Sequence, residues 1–132
     1  IILLLYRENE MRKLLKRKSV EEFLKIQGYE EVYETTGEEF LDLILTHLRE
    51  RFQCAYGRRK EFPHEIGVFL GYPMEDVIGF IENNGKNCLC TGYWKVYSNP
   101  ERAKNLFRHY DEARESAIYE ILNGKKFYEI AV

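Results

Sequence analysis

Three small groups of side chains in this chain could do chemistry. The first is Phe62-Pro63-His64-Glu65-Ile66-Gly67. A proline at the first helical position would put His64 and Glu65 in the opening turn, where unpaired N–H groups and the helix dipole favour anions. A histidine there could act as acid or base, or help hold a phosphate or carboxylate. The plainer role is that His64 caps the turn while Glu65 complements the dipole. A zinc-protease motif is excluded, because Val68 stands where His-Glu-x-x-His needs its second histidine.

The second group is Cys88-x-Cys90, read as part of a strand over Cys88–Tyr97. Residues two apart share a face, so both thiols would lie beside Trp94 and Val96. A disulfide between them is disfavoured, since an extended strand holds their Cα atoms roughly 6.5 Å apart. A zinc site needs two further ligands, and the chain has no second cysteine pair. Free cysteine is among the most buried residue types, so a core role is the plainer reading. Tyr93, Lys95 and Tyr97 on the opposite face form the third group. A lysine between aromatic rings could stack a planar ligand and pair with its negative charge, or could simply cover an exposed sheet face.

These groups need elements to position them. Ile1–Arg7 reads as a strand apolar enough for burial on both faces. Glu8–Arg17 follows as a helix with Met11, Leu14 and Leu15 inward. Ser19 and Glu22 form a capping box that opens a short helix with Val20, Phe23 and Leu24 inward, and Gly28 suits its left-handed end. Tyr29–Gly37 reads as a polar connection with room for one short strand. Glu38–Phe52 is the strongest helix, with Phe40, Leu41, Ile44, Leu45, Leu48 and Phe52 in one stripe. Cys54–Glu61 reads as a basic loop. Pro63–Leu70 and Pro73–Asn83 read as two helices meeting at Gly71 in a tight corner. Asn99-Pro100 opens a long helix with Ala103, Leu106, Phe107, Tyr110, Ala113, Ala117 and Ile121 inward, closed by Asn123-Gly124. Phe127–Val132 reads as a short strand or tail. The expected fold is therefore α+β: a small sheet from strands near 1–7, 88–97 and 127–131, packed by five or six helices.

Composition narrows the class. A chain of 132 residues fits one domain with a real core, and 14% aromatic content supports packing rather than disorder. The formal charge of −2 gives no global field for nucleic acid or anionic membrane. Basic runs at Arg7–Lys18 and Arg49–Lys60 are matched by acids at 21–42, as expected of solvated helix faces. Three cysteines cannot all pair within the chain, which points to a reducing, cytoplasmic compartment. Ile1–Leu5 is far too short to span a membrane. It also lacks the flanks of a signal peptide. An apolar start without Met predicts that the domain continues upstream, and such a strand could pair with that chain or with a second copy. A P-loop, a Gly-rich dinucleotide turn and a nucleophile elbow are all absent.

The stretch Phe62-Pro-His-Glu-Ile-Gly-Val-Phe-Leu-Gly-Tyr-Pro-Met-Glu-Asp-Val77, with Gly79-Phe-Ile-Glu-Asn83 and Gly92-Tyr-Trp-Lys-Val-Tyr97, resembles an uncharacterised bacterial family of unknown function. The resemblance spans most of the chain and implies no established reaction, substrate or cofactor. In that family's pattern a cysteine often stands at position 93, forming Cys-x-x-Cys with position 90. Tyr93 breaks that pair here, which removes support for a two-thiol redox or metal role. The leading functional expectation is an accessory or binding module. Its site would lie between segment 62–72 and strand 88–97, with Tyr72, Tyr93, Trp94 and Lys95 receiving a small anionic ligand or a protein partner. The alternative is an enzyme using His64 with Glu65, or the Cys90 thiol, as acid/base or nucleophile. A nucleic-acid binder using the basic runs ranks third.

Overall fold

A computed structural model describes residues 2–58 and 61–130. Its first half is a cluster of short helices laid against one long one. Helices α1 (Glu8–Leu15) and α2 (Lys18–Leu24) bury Met11, Leu15, Val20, Phe23 and Leu24, the residues their spacing selects. The chain then passes through a widened turn, Lys25–Tyr29, kinked at Gly28 with φ +97°. Glycine alone adopts that left-handed conformation without a steric cost. Helix α3 (Glu30–Tyr33) leads into α4 (Glu39–Arg58), whose Leu41, Ile44 and Leu48 are buried, with Phe40, Leu45 and Phe52 packed around them. Helices α5 (Ile66–Phe69) and α6 (Met74–Glu82) close this core with Val68, Phe69 and Val77.

The sheet is smaller than the strand pattern predicts. It consists of β1 (Cys90–Thr91) and β2 (Lys95–Val96), antiparallel, with Cys90 opposite Val96 and Thr91 opposite Lys95. Cys88–Tyr97 is thus a hairpin rather than one strand, folding back through Gly92-Tyr93-Trp94. Residues 2–7 form no regular element and join no ladder among the described residues. Leu4 rests on the core while Leu3 and Leu5 face outward. The other expected strand, near 127–131, is instead helix α8 (Phe127–Ile130), with position 131 outside the described residues. Helix α7 (Pro100–Leu122) runs between the expected Asn99 and Asn123 ends, and the Asn99 side chain accepts from the Arg102 N–H. The helix-rich α+β class holds, with more short helical turns and less sheet than the sequence suggested.

Three local expectations are also corrected. Ser19 lies inside α2, whose N-cap is Arg17 without a side-chain cap, so no capping box forms. α4 continues through the expected basic loop to Arg58, with residues 59 and 60 outside the described part. Tyr29–Gly37 is not a merely polar connection, because Tyr29 is fully buried. Its hydroxyl donates to Glu65 Oε1 at 3.1 Å, and Arg51 of α4 grips the same carboxylate through both Nε and Nη2. Glu65 is also buried, so this ion pair fastens α4 and Tyr29 to the turn before α5.

Burial and the neighbouring Glu65 carboxylate both push the Tyr29 phenol well above its usual range. The folded state therefore holds that proton more tightly than the unfolded chain does. Its contribution is fully present below about pH 10 and is lost as the pH rises beyond that. Tyr29→Phe is expected to cost about 1 kcal/mol at neutral pH. It should also make stability fall less steeply above about pH 10 than in the unaltered protein. Denaturant titrations on either side of that pH measure both effects, and parallel pH slopes would contradict the assignment.

Candidate functional site

The site is built on the corner between α5 and α6 and on the hairpin that faces it. Pro63 begins a tight turn rather than a helix. The N–H groups of Ile66, Gly67 and Val68 bond the carbonyls of Pro63, His64 and Glu65, and α5 proper begins only at Ile66. His64 and Glu65 thus precede the helix and point to different places. Glu65 enters the core to meet Arg51, whereas the His64 ring lies between Phe62 and Phe80, with centroids 5.4 and 5.0 Å away. Among the described residues, no hydrogen-bonding partner orients that imidazole.

Asp76, in the first turn of α6, fixes the hairpin opposite. Its carboxylate is buried and accepts from Trp94 Nε1 at 2.7 Å, the Tyr97 N–H at 2.8 Å and the Ser98 N–H at 3.0 Å. Three N–H donors on one buried carboxylate offset its loss of water and fix where the hairpin sits. Trp94 is held on both sides, stacked on Tyr72 at 4.8 Å and edge-on to Phe107 of α7 at 4.6 Å. At the hairpin tip, Tyr93 donates to Asp111 Oδ1 at 2.8 Å and packs on Phe107 and Tyr110. That hydrogen bond to Asp111 is the first cause holding the Tyr93 phenol above its usual range.

Between the corner and the hairpin lies a recess of about 360 Å³. Ile66, Tyr72, Val77 and Phe80 wall one side, and Thr91 to Lys95 wall the other, with His64 at its margin. Lys95 Nζ donates to the Gly85 carbonyl at 2.6 Å and stands 5.8 Å from the centre of the Phe80 ring. Of the residues singled out from sequence, His64, Tyr72, Tyr93, Trp94 and Lys95 all border this space. Glu65 and Cys90 do not. Cys90 packs instead with Trp94, Val96 and Ala103 in a second apolar cluster.

Sequence reasoning missed Asp76 and Tyr29. An acid in a helix's first turn is ordinarily a dipole partner facing water. The available signal was the pairing of that acid with the chain's single tryptophan, whose indole needs an acceptor when buried. Among the described residues, no three His, Cys, Asp or Glu side chains are grouped to hold a metal ion, and no helix is long and apolar enough to cross a membrane.

Fold and site together define a helix-rich α+β domain that carries an aromatic-walled recess against a single short hairpin. Residues 1–131 match the model of the family described as Protein of unknown function (DUF3793), and the chain belongs to that family. No solved structure matches it.

Two glycines let the walls close. A Cβ on Gly79 would sit 2.5 Å from Tyr97 Cβ, an atom that cannot move without its backbone, and one on Gly92 would sit 2.3 Å from the Phe107 ring. Gly79→Ala is expected to force the hairpin away from α6, at a cost of about 1–3 kcal/mol. Trp94 emission should move to longer wavelength as water reaches the indole. Unchanged emission and melting temperature would show that the contact between α6 and the hairpin is looser than described.

Proposed function

We propose that this protein is a bacterial, cytoplasmic binding module whose recess takes a small, flat, largely apolar ligand bearing one anionic group. The observation that carries the reading is the recess itself. Its roughly 360 Å³ falls within the size range of small-molecule sites, and aromatic and aliphatic side chains from both segments supply most of its wall. Flat aromatic walls favour flat guests through dispersion and edge-to-face contact. Lys95 supplies the complementary charge, because one N–H is taken by the Gly85 carbonyl and an ammonium carries three. His64, at the margin, can add a second polar contact.

Binding is favoured over catalysis because the groups that would form a nucleophile–base pair are kept apart. The Cys90 thiol belongs to the cluster behind Trp94, and Glu65 is committed to Arg51 and Tyr29. Nucleic acid is disfavoured, since the basic runs are partly neutralised within the fold: Arg12 pairs with Glu8, Lys13 with Glu10, Lys18 with Glu22 and Arg51 with Glu65. Three free cysteines support a reducing compartment.

Trp94 is the only tryptophan, so its emission reports on the recess. Anilinonaphthalene sulfonate, a flat aromatic with one sulfonate, is a suitable first probe. It should quench Trp94 saturably with one molecule per chain. Lys95→Met should weaken it several-fold, and Tyr72→Ala about tenfold, the equivalent of 1.4 kcal/mol. Helix content should stay unchanged in both variants. Non-saturable quenching, or equal affinity in all three proteins, would remove the recess as a ligand site.

A further inference from the structure

The face of α7 that packs on the hairpin does not end where the hairpin ends. Ala103 is buried there, with Leu106 and Phe107 packed beside it. The same stripe continues at helical spacing through Tyr110, Ala117 and Ile121. Its covering stops, since Ala103 is the only buried residue of the 23-residue helix. Tyr110, Ile118, Ile121 and Leu122 are between 43% and 80% exposed, and α8 adds exposed Phe127 and Tyr128 just beyond the turn. A helix of this length extends about 34 Å, and its second half has the apolar pattern of a packed helix, with the short α8 as its neighbour among the described residues.

We infer that this surface, from Tyr110 to Tyr128, is where two copies of the chain pair, antiparallel, about a two-fold axis near Ile118. Two observations select this occupant. The first is charge. Residues 111–122 carry Asp111, Glu112, Glu115 and Glu120 against Arg114 alone, followed by Lys125 and Lys126. Parallel pairing would set the acidic stretch against itself. Antiparallel pairing brings the Asp111-Glu112 end of one copy beside the Lys125-Lys126 end of the other, twice over by symmetry. Lys125 bonds its own Glu120 and Asp111 accepts from Tyr93, so Glu112 and Lys126 are the pair left to meet across the axis. The same acidity disfavours an anionic lipid surface, which selects basic amphipathic helices.

The second observation is area. Six large apolar side chains on this surface are exposed, three of them aromatic, and together they present on the order of the 800 Å² per partner that a stable interface buries. The pairing is independent of the ligand reading. Its links to the recess run through the hairpin tip, where Tyr93 donates to Asp111 and packs on Tyr110, whose ring also lies 6.3 Å from that of Trp94.

Sedimentation equilibrium of the full-length chain at about 50 µM, a concentration that populates a micromolar dimer, tests the pairing. Twice the chain mass is expected. Ile118→Glu combined with Ile121→Glu should give monomer with unchanged helix content, since both residues are exposed. Lys125→Glu with Lys126→Glu should weaken the dimer about tenfold. Adding Glu112→Lys should restore it, which a parallel arrangement would not allow. The inference is overturned if the unaltered protein remains monomeric, if the isoleucine variant stays dimeric, or if monomer binds vesicles of phosphatidylcholine with phosphatidylglycerol through this face.

Discussion

One buried carboxylate organises the second half of this molecule. Asp76 collects an indole N–H and two consecutive backbone N–H groups from a segment about twenty residues further along the chain. A two-stranded hairpin with two residues per strand has almost no stability of its own. What fixes it is side-chain anchoring: the aspartate from α6, the Tyr72 and Phe107 rings on either side of Trp94, and two glycines that allow close approach. The recess is the gap left when this anchored hairpin meets the α5–α6 corner without filling the space in front of it. Its shape is inherited from Asp76 more than from the residues that line it.

A second buried acid performs the matching task on the other wall. Glu65 draws Arg51 and Tyr29 onto the turn that presents His64, so the corner is held from behind by an ion pair rather than by apolar packing alone. Breaking such a pair from one side is costly, since the remaining charge stays buried. The two acids flank α5 in the chain, Glu65 bonded to Tyr29 and Arg51 of the helical half and Asp76 to the hairpin. Tyr72 joins the two regions physically, packing against both apolar clusters.

Much of this was legible in the residues. Helical periodicity selected the buried positions of α1, α2 and α4, and the Asn99-Pro100 and Asn123-Gly124 signals marked the ends of α7. That segment 62–72 meets segment 88–97 was an expectation that joined the candidate side chains of each, and residues of both line the recess. The misses have physical causes. Alternating β-type residues over 88–97 hid a turn, although Gly92 in mid-pattern is a recognised sign of one. Residues 2–7 have strand-like composition but no ladder partner among the described residues. Tyr29 and Asp76 were passed over because a polar group's burial depends on partners 36 and about 20 residues away, which local patterning does not encode. Glu65 was grouped with His64 by adjacency in sequence, while side-chain direction separates the two in space. Cys90 was offered as a nucleophile from its residue type, and it packs with Trp94 and Val96 in the second apolar cluster.

Amide hydrogen exchange at Tyr97 and Ser98 tests the role of Asp76 most directly, since both N–H groups end on its carboxylate. In the unaltered protein both amides should exchange slowly. In Asp76→Ala they should exchange at close to unstructured rates, while amides across α4 keep their protection. If both amides exchange as slowly in the variant as in the parent, the hairpin is held by something other than Asp76, and the account of how the recess forms is wrong.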